Sequence, residues 1–472
     1  MNQKRVERNL MKQKPYPLEE FFGAIISPFE RFLRQTTSGG IILVVMTICT
    51  LLIANSPWGQ EFHHFWERPV GITFDSWILA LSLREWINEG LMALFFLVVG
   101  LELKREILVG ELSSFQNAIL PVAGAIGGMI MPAFIYVFFN PGGPEATGWA
   151  IPTATDIAFA VGILVLLSRR IPRNLVIFLM ALAIADDLGA VLMIALFYTQ
   201  AINLTLLEIA GGLLLVLIFL NRGGIRHVLP YAVIGIFLWL ALLKSGIHAT
   251  VAGIILALMI PTRPSNTPLQ FDMRIRELKQ AFLATTLSED CSDHPLSNHS
   301  MAAIAEEVEG AAKAVQSPLQ RLEHTLSPWV TFVVIPLFAA ANVGIRFPTL
   351  NIVQMMVHPV TLGVIIGLVP GKFIGITGMS WLAVKAGIAQ LPSGVRWCHL
   401  LGAAWLGGIG FTMALFVSQL AFAGDQTLLE AAKLGILISS VIAISIGLVW
   451  LLLATKTRYV QSGNCPIDFL SG

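Results

Sequence analysis

The sequence predicts an all-α polytopic membrane protein, and three observations predict it. Of its 472 residues, 56% are hydrophobic and only 12% are charged, against about 25% charged in soluble domains. Apolar runs of about 18 residues or more recur along most of the chain, the length that covers a bilayer core as helix. Lys and Arg gather in alternate connections, the bias that orients membrane helices. The net charge is +1, so bulk charge points to no nucleic acid and no acidic partner.

At about 20 residues per crossing, about twelve transmembrane helices centre near Val45, Phe95, Met129, Ala160, Leu188, Leu214, Phe237, Ile254, Val334, Val364, Gly410 and Ile444. Strong breakers separate most of them: "FNPGGPE" at Phe139–Glu145, "RRIPRN" at Arg169–Asn174 and "NRGGIRH" at Asn221–His227. The spans near Phe237 and Ile254 are divided only by "LLKSGIH". The chain thus divides into a tail (1–37), spans one to eight (38–262), an insertion (263–325), spans nine to twelve (326–456) and a second tail (457–472).

One set of connections carries Lys4, Arg5, Lys104, Arg105, Arg169, Arg170, Arg173, Arg222, Arg226, Lys385, Arg396 and Lys456, with more in the insertion. The opposite set holds Arg68, Arg84, Lys244, Arg346 and Lys433. Both termini are therefore predicted cytoplasmic, which requires an even number of spans. The first apolar run comes too late for the core of a cleavable signal.

Two connections stand out. On the outer side, residues 57–88 contain "GITFDSW" and "ALSLREW", short, partly alternating stretches that suit a hairpin. The cytoplasmic insertion has apolar residues at helical spacing in "MRIRELKQAFLATTL" and in "SMAAIAEEVEGAAKAVQSPLQRLEH". Between them "SEDCSDHPLSNHS" reads as linker, and its Cys291, His294 and His299 lack the closed spacing of a metal site. The four cysteines, Cys49, Cys291, Cys398 and Cys465, are far apart and read as unpaired thiols. No cofactor motif is present.

Charges inside apolar spans cost at least about 2.5–3.5 kcal/mol each on insertion scales, so each one needs a reason. Asp156, Asp186, Asp187 and Lys372 lie deep, with Glu89 nearer an end. Asp186 and Asp187, in "LAIADDLGAV", point about 100° apart on one helix, so they cannot share one partner in one geometry. A pair this close repels, and taking up a proton relieves the repulsion. Two carboxylates also offer hard oxygen ligands to a small cation. Lys372, in "LVPGKFIGI", is the one basic residue deep in a span and the natural counter-charge to an aspartate.

Asp156 lies in "WAIPTATDIAFAVG", where Pro152, Thr153 and Thr155 interrupt a span. Proline removes a helix hydrogen bond, and hydroxyls re-satisfy freed backbone groups. A second interruption, at Gly407, Gly408 and Gly410, falls in "GAAWLGGIGFTMALF". Two broken spans in corresponding halves point to a transporter binding site. Asp156 would offset the positive ends of the half-helices, and Lys372 the negative ends. Lys372 then has two candidate partners, Asp186 and Asp156. Glu102, Lys104, Arg105, Glu106 and Glu111 cluster in "GLELKREILVGEL". His248 in "KSGIHAT" and the "RLEH" of Arg321–His324 lie at span boundaries, where histidine can sense pH.

Together these stretches resemble the NhaA-type bacterial sodium/proton antiporters. The matching segments are "LMALFFLVVGLELKRE", "GWAIPTATDIAFA", "IFLMALAIADDLGAVLMIALFYT", "LKSGIHAT", "RLEHTLSPWV", "IPLFAAAN", "GKFIGI" and "GIGFTM". They run in the family's order from about residue 38 to residue 455. The resemblance implies twelve transmembrane helices in inverted-topology repeats, with the fourth and eleventh broken where they cross at mid-membrane, around Thr155, Asp156, Gly410 and Phe411. It implies Asp187 as the main sodium ligand and proton carrier, and Asp186 as a second carboxylate paired with Lys372. It links Glu102, Arg105, Glu106, His248, Glu323 and His324 to pH regulation, and the outer hairpin at about 57–83 to a homodimer. In three places the chain departs from the family. Glu89 replaces a usual aspartate, Ser327 replaces a histidine of the best-known member, and the insertion is longer than usual.

The resulting expectation is an electrogenic, pH-regulated exchanger of cytoplasmic sodium or lithium for external protons in the bacterial inner membrane. It is not an enzyme, and its partners are the ions, the bilayer and a second copy. An intramembrane aspartyl protease would need a glycine-any-glycine-aspartate motif, which is absent. A channel would need repeated filter loops of backbone carbonyls. A sodium-coupled symporter is the nearest rival, but no constellation for an organic solute is visible.

Overall fold

The structure, a computed structural model, describes residues 38–74, 77–168, 170–199, 202–286, 299–345 and 352–456. Both predicted tails, Arg169, Arg346 and most of the linker in the insertion lie outside the described residues. In lipid only helices and closed barrels satisfy an open-ended backbone, and the described chain is helical almost throughout.

The first half contains α1 (Ser38–Ala54), α2 (Gly59–Trp66), α3 (Met92–Leu108), α4 (Phe115–Phe139), α5 (Ile157–Leu166), α6 (Arg173–Phe197), α7 (Leu204–Arg222), α8 (Val228–Ser245) and α9 (Thr250–Met259). The insertion supplies α10 (Pro268–Thr286) and α11 (His299–Val315). Then come α12 (Pro318–Trp329), α13 (Ile335–Asn342), α14 (Pro359–Ile366), α15 (Lys372–Lys385), α16 (Trp397–Gly407), α17 (Phe411–Ala421) and α18 (Gln426–Lys456).

Among the described residues, eight helical segments are long and apolar enough to cross a membrane, or ten if each bent pair is one span. The bent pairs are α1 with α2, turned by 116°, and α16 with α17, turned by 42°. This count is lower than the expected twelve at two places. α3 has 17 residues and α9 has 10, which rise about 25 and 15 Å against a core of about 30 Å. A π-helical turn, Trp86–Leu91, runs directly into α3. Gly246, at φ 89°, ends α8 in the left-handed conformation that glycine adopts without strain.

The outer connection departs from an all-helical chain. β1 (Pro69–Phe74) and β2 (Trp77–Ser82) form the expected hairpin, antiparallel, with Pro69 opposite Ser82 and Phe74 opposite Trp77. Its base is tied down by Trp86, whose indole N–H donates to the Val70 carbonyl at 2.8 Å, and by an Arg84–Glu67 ion pair at 2.6 Å. Cys49 is a free, exposed thiol. Cys398 is disulfide-bonded, against the expectation of unpaired cysteines.

Small residues let the spans around the centre approach closely. α4 and α15 touch through glycine: a Cβ on Gly375 would lie 2.1 Å from the Gly127 carbonyl oxygen, and one on Gly127 equally close to that of Gly375. α3 and α9 do the same, since a Cβ on Gly253 would meet the Ala93 carbonyl oxygen at 2.2 Å. Before α15 the chain widens into a π turn at Gly367–Gly371, with Pro370 inside it. Proline cannot donate to the helix ladder, and the residue that follows the turn is Lys372.

The insertion is a helical hairpin. Arg274 bridges its two helices, 2.6 Å from Glu307 on α11 and 3.0 Å from Glu277 on its own helix. Its base is closed, because the amides of Ser265 and Asn266 both donate to the Ala314 carbonyl at 2.9 Å.

Gly375→Ala should lower the midpoint of thermal unfolding in detergent, at a cost of about 1–3 kcal/mol for the overpacked contact. Gly378→Ala, on the same helix but with nothing within 4 Å of its Cβ, should leave the midpoint unchanged or raise it.

Candidate functional site

Two broken helices cross at the centre. The chain of Pro144–Thr153 is a 3-10 helix ending near Pro152, and Ala154 to Asp156 are extended before α5 begins. Opposite, α16 ends at Gly407 and α17 restarts at Phe411. Each break exposes backbone groups, and the two breaks satisfy one another. The Asp156 amide donates to the Ile409 carbonyl at 2.7 Å, and the Thr155 hydroxyl donates to the Gly407 carbonyl at 2.9 Å. Glycine is required for this approach: a Cβ on Gly410 would lie 3.2 Å from the Ala154 carbonyl oxygen, and one on Gly408 2.5 Å from that of Leu368. The rings of Phe159 and Phe411 meet edge to face at 5.2 Å.

The Asp156 carboxylate caps both restarting half-helices. Its Oδ1 accepts from the Phe159 amide at 3.1 Å. Its Oδ2 accepts from the Thr412 amide at 3.0 Å and from the Thr412 hydroxyl at 2.5 Å. Negative charge at two helix N-termini is favourable by the macrodipole, which explains a carboxylate at this depth. Thr412 is the contributor that the sequence reading passed over. It lies in the quoted "GIGFTM", one residue into the second half-helix, a position that residue type alone does not mark.

α6 brings Asp186 and Asp187 to the side of this crossing, both fully buried. Lys372 Nζ donates to Asp186 Oδ2 at 2.6 Å, with both side chains fully buried. Of the two partners open to Lys372, the structure places it on Asp186. Asp187 is different. Neither of its carboxylate oxygens has a hydrogen-bond donor, and Asp186 Oδ1 has none. The charges of Asp186, Asp156, Lys372 and Glu102 all act on Asp187. Three buried acceptor oxygens, two on Asp187 and one on Asp186, are therefore without a donor, and a proton or a small cation would satisfy such oxygens. Among the described residues, no group of three or more His, Cys, Asp or Glu could hold a resident metal.

The residues expected to respond to pH divide into two places. Arg105 joins Glu323 at 2.8 Å and Glu106 at 3.3 Å, and Glu102 feels Glu323, Arg105 and Glu106. Glu323 is buried and its Oε2 lacks a donor. His324, the next residue, is exposed and forms no ion pair with this cluster. His248 belongs elsewhere, with its Nδ1 3.7 Å from Glu89 and its Nε2 2.9 Å from the Tyr198 carbonyl. Glu89 precedes α3 and Arg105 lies near its end, about 24 Å along the helix. Glu89 Oε2 also accepts from the Ala249 amide at 3.1 Å, beside the start of α9.

With this geometry in view, the sequence comparisons have a physical counterpart. The profile of the family described as Na+/H+ antiporter 1 matches residues 30–451, nearly the whole chain and every residue of the crossing. This chain belongs to that family. Within this NhaA-type family, a relative from Syntrophobacter fumaroxidans, described as Na(+)/H(+) antiporter NhaA, is 58% identical over 94% of this chain and 95% of its own. Another of the same description, from Acidithiobacillus ferrooxidans, is 56% identical over 92% of this chain and 99% of its own. The family is one of transporters, and the apolar helices make this member a multi-pass membrane protein.

Lys372→Met alone leaves Asp186 as an uncompensated buried charge and should cost about 3–5 kcal/mol of stability. The double variant Asp186→Asn with Lys372→Met removes both charges and should recover most of that loss. Thermal unfolding of the purified variants in detergent measures both. Equal losses in the single and double variants would contradict the pairing.

Proposed function

We propose that this protein is a secondary active transporter that exchanges cytoplasmic sodium, or lithium, for external protons in the bacterial inner membrane. The observation that carries the reading is the donorless group of carboxylate oxygens on Asp186 and Asp187, fully buried beside two crossed half-helices. On this reading the broken spans belong to twelve helices in two inverted repeats, both termini are cytoplasmic, and no cofactor takes part.

Asp187 carries the ion or the proton. Its oxygens have no competing donor, so a dehydrated sodium ion finds hard ligands without first breaking a hydrogen bond. A proton occupies the same oxygens. The two cargoes exclude one another, and that competition couples their fluxes across the alternating states. Asp186 holds Lys372 while the site is empty of sodium. When sodium arrives, Asp186 serves as second ligand, and the ammonium is left to release its own proton or find another partner. More than one proton can then move per sodium, which makes the exchange electrogenic.

The pH control follows from the same oxygens. Acid protonates the carriers and transport idles. The Arg105–Glu323–Glu102 cluster adds a second input, because Glu102 acts on Asp187 through its charge. The hairpin of β1 and β2, with its tied base, is the surface we assign to a homodimer.

Vesicles with an acidic interior, containing the purified protein, test the reading. External sodium should collapse the pH gradient without any organic solute, and Asp187→Asn should abolish the effect. The reading is overturned if wild-type vesicles hold their gradient against sodium at every pH from mildly acidic to alkaline.

A further inference from the structure

Hydroxyls inside spans usually donate to a carbonyl one turn back. Thr47, Ser245, Ser418, Ser439 and Ser445 all do. Ser380 on α15 does not. It is fully buried, and its hydroxyl has no hydrogen-bond partner. The hydroxyl instead lies at a junction of three helices. A Cβ on Gly124 of α4 would meet Ser380 Oγ at 3.1 Å and Leu182 Cδ1 of α6 at 3.0 Å.

Next to this junction, α4, α6 and the connection that follows α15 line a cavity of about 460 Å³ on the Lys- and Arg-rich side, with Ser380 outside its wall. Glu111, Asn117 and Asn174 line its polar rim, while Leu120, Phe178 and Ala181 form its apolar floor. The Asn117 amide donates to Glu111 Oε2 at 3.2 Å, and Asn174 donates to Ser393 at 2.8 Å. Glu111 also lines a second cavity, of about 330 Å³, together with Glu106 and Met180. Along the helices, Leu120 lies one turn from Gly124, Ala181 adjoins Leu182, and Ser380 stands two turns, about 12 Å, from Lys372. Ser380 is thus a polar group in the layer between that cavity and the Lys372–Asp186 pair, and Thr377, one turn nearer Lys372, has a buried hydroxyl that is likewise without a partner.

Taking sodium as the cargo proposed above, we infer that Ser380 is a relay ligand on the inward path of the cation, between the Glu111-rimmed vestibule and Asp187. A sodium ion that leaves water needs oxygen ligands at each step, and a layer built only of Leu, Ile and Phe would supply none. The vestibule collects the cation by charge at Glu111 and by the amide oxygens of its rim. The Ser380 hydroxyl, uncommitted to the backbone, rotates its lone pairs to the ion at the junction and yields it toward the carboxylates of α6, where Asp186 lies one turn from Leu182. Ser380 is a positioning residue and takes no proton.

Initial rates of sodium-driven proton flux, with the vestibule side facing the added sodium, test this. Ser380→Ala should raise the KM for sodium by about threefold to tenfold with turnover at saturating sodium retained. Its thermal midpoint should be unchanged or higher, since an unpartnered buried hydroxyl is removed. In a Cys49→Ser background, Ser380→Cys should react with methanethiosulfonate ethylammonium added from the vestibule side, read by mass spectrometry at position 380. Sodium should slow that reaction. An unchanged KM in a transporting Ser380→Ala protein, or labelling at 380 that sodium does not slow, overturns the relay. Loss of sodium-driven flux in the wild type overturns the exchange reading instead, and the labelling arm still decides whether a cation path passes Ser380.

Discussion

A helix interrupted inside hydrocarbon frees backbone donors and acceptors that lipid cannot satisfy. The centre of this molecule is organised by that constraint. Two interruptions placed against each other exchange bonds, with Thr155 and the Asp156 amide serving the carbonyls of Gly407 and Ile409. What remains is two helix N-termini aimed at one point, and a single carboxylate, Asp156, caps both. Once Asp156 is committed there, it is no longer free for Lys372, so the ammonium turns to Asp186. Asp187 then keeps its oxygens unclaimed. The hierarchy among three buried aspartates follows from which of them the broken backbone needs most.

The three buried aspartates thus stand in different environments. Asp156 and the glycines that let the chains cross hold the geometry. Asp186 with Lys372 is a buried pair of opposite charges. Asp187 carries an energetic penalty while unoccupied, because acceptors in a dry interior without donors are costly. Glu102 extends the electrostatic reach of the pair toward the Arg105–Glu323 ion pair at the C-terminal end of α3.

Much of this was legible from residue types alone. Proline with two threonines beside Asp156, and three glycines in "LGGIG", marked both breaks, because each residue type either cannot continue a helix or stands in for its hydrogen bonds. Deep aspartates marked the site by their cost. Residue types alone left partner choice open, and only the family resemblance pointed to Asp186, since Lys372 reaches it through the packing of α15 on α4 and the turn at Pro370. Thr412 was invisible for a similar reason: a threonine in an apolar run is unremarkable until a carboxylate from another span faces it. His248 and His324 were grouped with Glu102 by the family resemblance, yet sequence spacing carries no information on which end of a span meets which neighbour. The span count diverged where glycine contacts, not length, place α3 and α9.

The insertion between α9 and α12 leaves and rejoins the body at almost the same point, since Ser265 and Asn266 share the carbonyl of Ala314. A loop whose ends already touch imposes no tension on what it interrupts, whatever its length. The module can therefore be lengthened, shortened or exchanged without retuning the membrane part. The same junction is a natural place to graft a reporter domain, because the graft inherits an anchor that is already closed.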